Sequence, residues 1–182
     1  MPTPDPVYVL AARLLMAGIF LSGGIEQWRD RASFEGVVAG YGLVPAGLVA
    51  AVALLLPLAE IAAGLGLLVP AAQPLASAFG LGLLTLVTTA VVINLARGRT
   101  DIDCGCGGAN GEQRLSWSLV ARNVVLGFAL VVAAMPTTTR EAGAADLALA
   151  IFAGLAGLGL YASANQLLAN APRLRALRDG TP

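Results

Sequence analysis

The chain has 182 residues, of which 57% are hydrophobic and 12% are charged, and its mean hydropathy is +0.78. Because an ordinary soluble domain carries about 25% charged residues, this composition predicts an all-α integral membrane protein, a single membrane domain over residues 1–182. The formal net charge is zero and histidine is absent, which excludes a basic nucleic-acid-binding face and removes the commonest metal ligand and general base.

Residues 7–25 form the first apolar run, which is long enough to cross a bilayer as a helix. We expect it to be retained and not cleaved as a signal peptide, because residues 1–6 carry no basic side chain and no small-x-small cleavage site follows. Arg13 lies inside this run. Its side chain should either extend to the interface or turn into the bundle towards an acidic partner.

The polar stretch after the first span retains helical periodicity. Apolar residues recur at intervals of three and four between Phe34 and Tyr41, which predicts a short amphipathic helix with Ser33 as its N-cap. We expect this helix to lie on the membrane surface. Trp28 and Tyr41 would then anchor it at the level of the lipid headgroups.

The second span, residues 48–69, contains an ionisable residue near its middle, Glu60. A charge inside the bilayer is unfavourable, so such a residue is a functional hypothesis by default. Pro57, one turn earlier, cannot donate a helix hydrogen bond and should loosen the backbone. The alternative is structural: Glu60 is protonated, or pairs with an arginine to hold two helices together.

The fourth span, residues 117–135, begins with Trp117, which fits the interfacial aromatic belt. Arg122 and Asn123 follow within its first turns. If Arg122 faces inward, it is a natural partner for Glu60 or for a thiolate. If it faces outward, it extends to the interface.

Residues 75–95 and 144–168 are the third and fifth spans, and residues 169–182 form a basic tail. The expected architecture is therefore a bundle of about five transmembrane helices, a four-helix core plus one. Small residues four positions apart in the fifth span predict a close helix contact. These pairs are Ala150 with Gly154 and Ala153 with Gly157.

Both cysteines, Cys104 and Cys106, lie in a polar loop at residues 101–114. Two thiols one residue apart can form a disulfide only if the backbone bends sharply, which Gly105 permits. So small a ring would be strained, and strained disulfides tend to be catalytic or regulatory. Exchange requires a thiolate. Arg99 or Arg122 would stabilise it, whereas the neighbouring acidic residues would oppose it unless paired or protonated. These residues are Asp101 and Asp103.

The distribution of arginine predicts the orientation. With five spans, the end of the bundle that carries the cysteine loop also collects most arginines outside the spans, whereas the other end has only Arg140. The positive-inside rule therefore places the N-terminus outside, and the cysteine loop and the C-terminus in the cytoplasm of a bacterium.

A set of motifs resembles the MauE family of small bacterial membrane proteins, which is related to the DoxX-like proteins. The likeness covers most of the first four helices. It implies a membrane redox protein of the methylamine-utilisation system that works beside a thioredoxin-like protein in maturing a disulfide-rich exported subunit. The motifs are Asp103-Cys104-Gly105-Cys106-Gly107-Gly108, Leu115-Ser116-Trp117, Arg122-Asn123, Arg13 in the first span, Tyr41-Gly42-Leu43-Val44-Pro45 and Pro57-Leu58-Ala59-Glu60.

Three functions are compatible with these features. The first is a thiol-disulfide oxidoreductase of the inner membrane. Cys104 and Cys106 would exchange with a thioredoxin-like protein or a low-molecular-weight thiol, and Glu60 would carry protons. The apolar bundle could accommodate a membrane quinone, for which the sequence carries no motif. The second is binding of a soft metal, Cu(I) or Hg(II), by the two thiolates. The third is a structural assembly subunit with inert cysteines.

Overall fold

The computed structural model describes residues 4–105, 113–137 and 143–178, with side chains described as far as residue 170. Within these residues, five helices are long and apolar enough to cross a membrane. The prediction of an all-α integral membrane protein with about five transmembrane helices is therefore confirmed. Cys106, Gly107, Gly108 and Arg140 lie outside the described residues.

The described part of the chain contains six α-helices, and the last continues into the predicted basic tail as far as Arg178. Single turns of 3-10 helix precede the third and fourth helices, at Ala46–Leu48 and Pro70–Ala72. The helices are α1 (Pro6–Arg29), α2 (Arg31–Tyr41), α3 (Val49–Leu68), α4 (Gln73–Ala96), α5 (Trp117–Ala134) and α6 (Ala144–Arg178).

Four of the long helices close into a ring. Helix α1 packs on α3, α3 on α4, α4 on α5, and α5 returns to α1, while α6 lies outside the ring against α1. Helix α1 thus contacts three other long helices, and its Met16 and Phe20 are central to the main apolar core. The structure is a four-helix core with a fifth long helix added to one side.

Small residues bring α1 close to its neighbours. A Cβ atom on Gly24 would lie 2.7 Å from the carbonyl oxygen of Pro57, so only glycine permits this approach of α1 to α3. On α6, Ala150 and Gly154 are buried, and a Cβ atom on Gly154 would lie 3.1 Å from the Cβ of Leu14. Ala153 is exposed, so of the two predicted small-residue pairs only Ala150 with Gly154 lies wholly in buried packing.

Helix α2 differs from its prediction in two respects. Its N-cap is Asp30 and not Ser33, because the Asp30 carboxylate accepts a hydrogen bond from the Ser33 backbone N–H at 3.3 Å. Tyr41 is only 8% exposed, so it is not a headgroup anchor. Trp28 is 46% exposed, as an interfacial anchor would be. Helix α2 therefore covers the bundle with Tyr41 turned inward.

Candidate functional site

The cysteine loop begins and ends in a short antiparallel pairing. The backbone N–H of Cys104 donates to the carbonyl of Gln113 at 2.8 Å, and that of Leu115 donates to the carbonyl of Ile102 at 3.0 Å. Asp103 and Arg114 form the bridge between these bonds. The side chain of Cys104 is 5% exposed and belongs to an apolar cluster with Tyr41. The first cysteine is thus fixed on the inner side of the loop.

Gly105 makes the bend that follows Cys104. Its φ of +72° lies in the left-handed region, which L side chains rarely adopt. A Cβ atom at this position would lie 2.9 Å from Cγ1 of Val37 on α2. The N–H of Gly105 donates to Oδ1 of Asp103 at 2.9 Å, so this carboxylate stabilises the bend. Glycine is required here both by the backbone conformation and by the contact with α2.

Arg99 ties helix α2 to the start of the loop. Its guanidinium donates to the carbonyl oxygens of Gly40 and Tyr41, at 2.9 and 3.1 Å, and to Oδ1 of Asn94 at 3.1 Å. The two carbonyls belong to the last turn of α2, where a cation is favourable. The hydroxyl of Tyr41 in turn donates to the carbonyl of Cys104 at 3.4 Å, a long hydrogen bond. Arg99 thus caps the last turn of α2, and its role beside a thiolate stays a prediction.

A cavity of about 130 Å³, the sulfur cavity, lies beneath α2 and beside Cys104. Its walls are mostly apolar and include aromatic rings. The polar groups on these walls are the thiol of Cys104, the amide of Gln27, the carboxyl group of Glu60 and the hydroxyl of Tyr41. The lining residues are Gln27, Phe34, Val37, Val38, Tyr41, Leu43, Val44, Val52, Leu56, Glu60, Leu86, Val87, Ala90 and Cys104.

A second cavity of about 70 Å³, the arginine cavity, adjoins it and is more polar. Gln27, Glu60 and Val87 line both cavities, so Glu60 stands on the wall between them. An added Cβ on Gly23 would lie 3.3 Å from Oε2 of Glu60, which places this carboxylate against α1. The lining residues of the arginine cavity are Ile19, Phe20, Gly23, Gln27, Glu60, Leu83, Leu84, Val87, Arg122, Asn123, Leu126 and Tyr161.

Arg122 is turned inward, into a network that joins three helices. Its Nη1 donates to Oδ1 of Asn165 on α6 at 2.7 Å, and its Nε and Nη2 donate to Oδ1 of Asn123 at 3.3 and 3.1 Å. The Asn123 amide donates to the Thr88 hydroxyl on α4 at 3.0 Å. The guanidinium carbon of Arg122 lies 5.5 Å from the ring centre of Tyr161, a cation-π contact. Arg122 therefore shares a cavity with Glu60, whereas Cys104 lines the other one.

The remaining predicted residues lie away from the two cavities. Arg13 turns into the bundle, but its Nε donates to the carbonyl of Ala133 at 2.8 Å; the described partner is thus the C-terminal turn of α5 and not an acidic residue. Trp117 is 63% exposed at the start of α5. Asp101 forms an exposed ion pair with Arg114 at 3.1 Å.

Several residues that the structure brings to this region were missed by the sequence analysis. Gln27, Phe34 and Tyr161 line the cavities, and Gln113 is 2% exposed with both side-chain polar atoms lacking a hydrogen bond among the described residues. The position of Gln27 near the end of α1, one turn after the Gly23-Gly24 pair, is the one signal that could have singled it out.

Comparison with known sequences identifies the family. The family model described as methylamine utilisation protein MauE matches residues 5–136. The chain belongs to the MauE family. The matched segment contains α1 to α5 and the cysteine loop, so both cavities are built mainly from the part of the chain that the MauE family shares.

Curated members of the MauE family are similar over most of their length. A methylamine utilization protein MauE of Paracoccus versutus is 39% identical over 164 residues, covering 90% of this chain and 88% of the relative. One from Paracoccus denitrificans is 37% identical over 165 residues, with the same coverage. One from Methylophilus methylotrophus is 39% identical over 134 residues, covering 72% of this chain and 70% of the relative. No solved structure matches the chain.

Proposed function

We propose that this MauE-family protein is a membrane thiol-disulfide redox protein in which Cys104 and Cys106 cycle between a dithiol and a disulfide. The observation that carries the proposal is the construction around Cys104. A hydrogen-bonded pairing fixes the cysteine, a left-handed glycine bends the chain after it, and α2 covers it beside a cavity. Together these features hold the thiol of Cys104 in one position beside a cavity.

Exchange with the partner proceeds through a mixed disulfide. A thiolate of the cysteine pair attacks a disulfide of the partner, forms a mixed disulfide and releases one partner thiolate. The second cysteine then attacks the mixed disulfide, closing the Cys104 to Cys106 bond and releasing the second partner thiolate. Two electrons pass to the partner, and the reverse sequence reduces the pair. Because Cys104 is 5% exposed, we assign contact with the partner to Cys106.

Glu60 and Arg122 have distinct roles in this proposal. Glu60 lines the same cavity as Cys104, so its carboxylate is the group placed to accept the proton that a thiol loses, through water in the cavity. Arg122 lines the adjoining cavity with Glu60 and provides the positive charge that keeps a carboxylate there favourable. Three supporting residues hold this arrangement in place. Asn123 accepts a hydrogen bond from Arg122, Asp103 stabilises the bend at Gly105, and Tyr41 donates to the carbonyl of Cys104.

The partner and the setting are part of the proposal. Relatives of this chain are named as methylamine utilization proteins, and we carry that setting to this protein, with a thioredoxin-like protein or a low-molecular-weight thiol as the exchange partner. The arginine distribution supports the orientation that we propose, in which the cysteine loop lies on the cytoplasmic side of the bacterial inner membrane and the N-terminus lies outside.

One alternative has an observation in its favour. Cys104 is buried in an apolar cluster with Val91, Leu115 and Leu119, and buried cysteines in such surroundings are often inert. In that case the loop would be structural and the protein an assembly subunit. Soft-metal binding by the two thiolates is the other function to be separated from exchange.

Differential alkylation in native membranes tests the proposal. Permeant and impermeant reagents, followed by peptide mass spectrometry before and after mild dithiol treatment, should reveal a reversible Cys104 to Cys106 disulfide that the impermeant reagent reaches from one side only. Cys104→Ser should accumulate a mixed disulfide with the partner, whereas Cys106→Ser should not. Thiols that remain reduced after an oxidant challenge would exclude exchange, and protection by Cu(I) would then favour the metal-binding function.

A further inference from the structure

The sulfur cavity has the size and the walls of a site for a ring. An apolar cavity of about 150 Å³ can hold a benzene molecule, and the sulfur cavity measures about 130 Å³. Phe34 and Tyr41, which are 7% and 8% exposed, supply aromatic surface beside the thiol of Cys104. Flat ligands pack well on such walls.

The cavity extends deep into the bundle and also reaches the lipid-facing surface. Val52, Leu56 and Glu60 are four residues apart on α3, so this wall covers about 12 Å along the helix axis. Leu86 on α4 lines the cavity although 62% of its surface is exposed. A ligand dissolved in the bilayer therefore has an approach at Leu86.

Polar groups are few on the cavity walls, and one of them has no hydrogen-bond partner among the described residues. Oε1 of Gln27 is buried and accepts no hydrogen bond within the described part of the chain. Gln27 and Glu60 lie on the wall shared by the two cavities. A buried acceptor without a donor is rare in native proteins, and it suits a ligand that presents a hydroxyl group.

We propose that the sulfur cavity binds the ring of a lipid-soluble quinone, which accepts electrons from the cysteine pair. This inference rests on the proposed function. The two thiols lose two electrons and two protons and form the Cys104 to Cys106 disulfide, while the quinone gains both and becomes a quinol. One new hydroxyl of the quinol donates to Oε1 of Gln27. A quinone combines the required properties: it dissolves in lipid, it is flat, and it takes two electrons and two protons together.

Full-length protein in nanodiscs, reduced and then mixed with decylubiquinone, provides the test. Alkylation measures the loss of thiols, and absorbance measures the formation of quinol. The two should proceed together, with one disulfide formed for each quinol. Leu56→Trp, which fills the cavity, should slow the reaction at least about tenfold. The matched control is Leu55→Trp, because Leu55 is the adjacent residue on α3 and is 61% exposed; this variant should react at the original rate.

The outcomes separate the two proposals. Circular dichroism and thermal unfolding of Leu56→Trp should match those of the unaltered protein, which shows that the variant is folded. If Leu56→Trp is oxidised by decylubiquinone as fast as the unaltered protein, or if the unaltered protein exchanges with soluble disulfides and ignores the quinone, the quinone site is wrong and the exchange function stands. If the cysteines react with neither oxidant, the proposed function fails.

Binding is measured separately, in a variant that cannot form the Cys104 to Cys106 disulfide. In Cys104→Ser, a photoreactive azidoquinone should label peptides of the cavity wall, and decylubiquinone should compete with this labelling. Gln27→Leu, added to Cys104→Ser, should weaken competition by decylubiquinol about tenfold through loss of the acceptor. If a fatty acid displaces the label as effectively as decylubiquinol does, the cavity binds a lipid chain and the inference is overturned.

Discussion

The two adjoining cavities share three residues of their walls but differ in chemistry. The sulfur cavity is apolar and is covered by α2, whereas the arginine cavity is bordered by Arg122, its hydrogen bonds to Asn123 and its cation-π contact with Tyr161. The first arrangement suits an uncharged ligand beside a thiol, and the second stabilises charge within the bilayer. Glu60 belongs to both, so proton movement between them has one evident carrier.

The largest effect is expected at the bend that follows Cys104. Gly105→Ala combines a strained φ of +72° with a 2.9 Å approach of the new Cβ to Val37, so the free energy of unfolding in detergent should fall by about 3 kcal/mol. Thermal unfolding monitored by circular dichroism provides the measurement.

Gly98→Ala is the matched control for this loss. Gly98 has nearly the same φ, +74°, but an added Cβ would meet nothing within 4 Å. The loss should therefore be about 1 kcal/mol, from strain alone. Equal losses in the two variants would mean that contact between the bend and α2 contributes nothing.

The next effect concerns the arginine cavity. Arg122→Lys keeps the charge but cannot donate to Asn165 and Asn123 with the same fork of N–H groups. We expect the free energy of unfolding to decrease by about 2 kcal/mol, with unchanged alkylation of Cys104 in the folded protein. Arg97→Lys, at an exposed position after α4, should leave stability unaltered. A loss in Cys104 protection would show that the two cavities do not behave independently.

Removing the carboxyl group of Glu60, which lines both cavities, should affect the rate of thiol-disulfide exchange more than the free energy of unfolding. Glu60→Gln conserves shape but cannot accept a proton, so we expect thiol-disulfide exchange at neutral pH to slow about tenfold, at the lower end of general-base effects. Stopped-flow exchange with a chromogenic disulfide measures this rate. Glu35→Gln, on the exposed side of α2, is the control, and equal rates in both variants would remove Glu60 from the mechanism.

The smallest effect is expected outside both cavities. Arg114→Ala removes the ion pair with Asp101, whose side chains are 63% and 86% exposed. Exposed pairs contribute about 0.5 kcal/mol or less, so unfolding and exchange should both remain near their original values. A large loss of exchange in this variant would indicate that the partner contacts Arg114.

Several features could be predicted from the sequence because they depend on neighbours along the chain. The number of long apolar helices follows from the lengths of the apolar runs, and the bend at Gly105 follows from two cysteines separated by glycine. The N-cap of α2 was assigned to Ser33 although Asp30 performs it, because both residue types cap helices well and only the path of the chain between α1 and α2 distinguishes them.

The sequence by itself determined that the protein is a helical membrane bundle with a cysteine loop and with ionisable residues inside its spans. Only the tertiary structure decided that Glu60 faces both cavities, that Arg13 binds the carbonyl of Ala133, and that Tyr41 turns inward. The physical reason is the solvent. Lipid is as apolar as the core, so apolar residues surround each long helix, and the sequence does not indicate how the helix is rotated about its axis. Close packing of glycines and a few polar contacts fix that rotation.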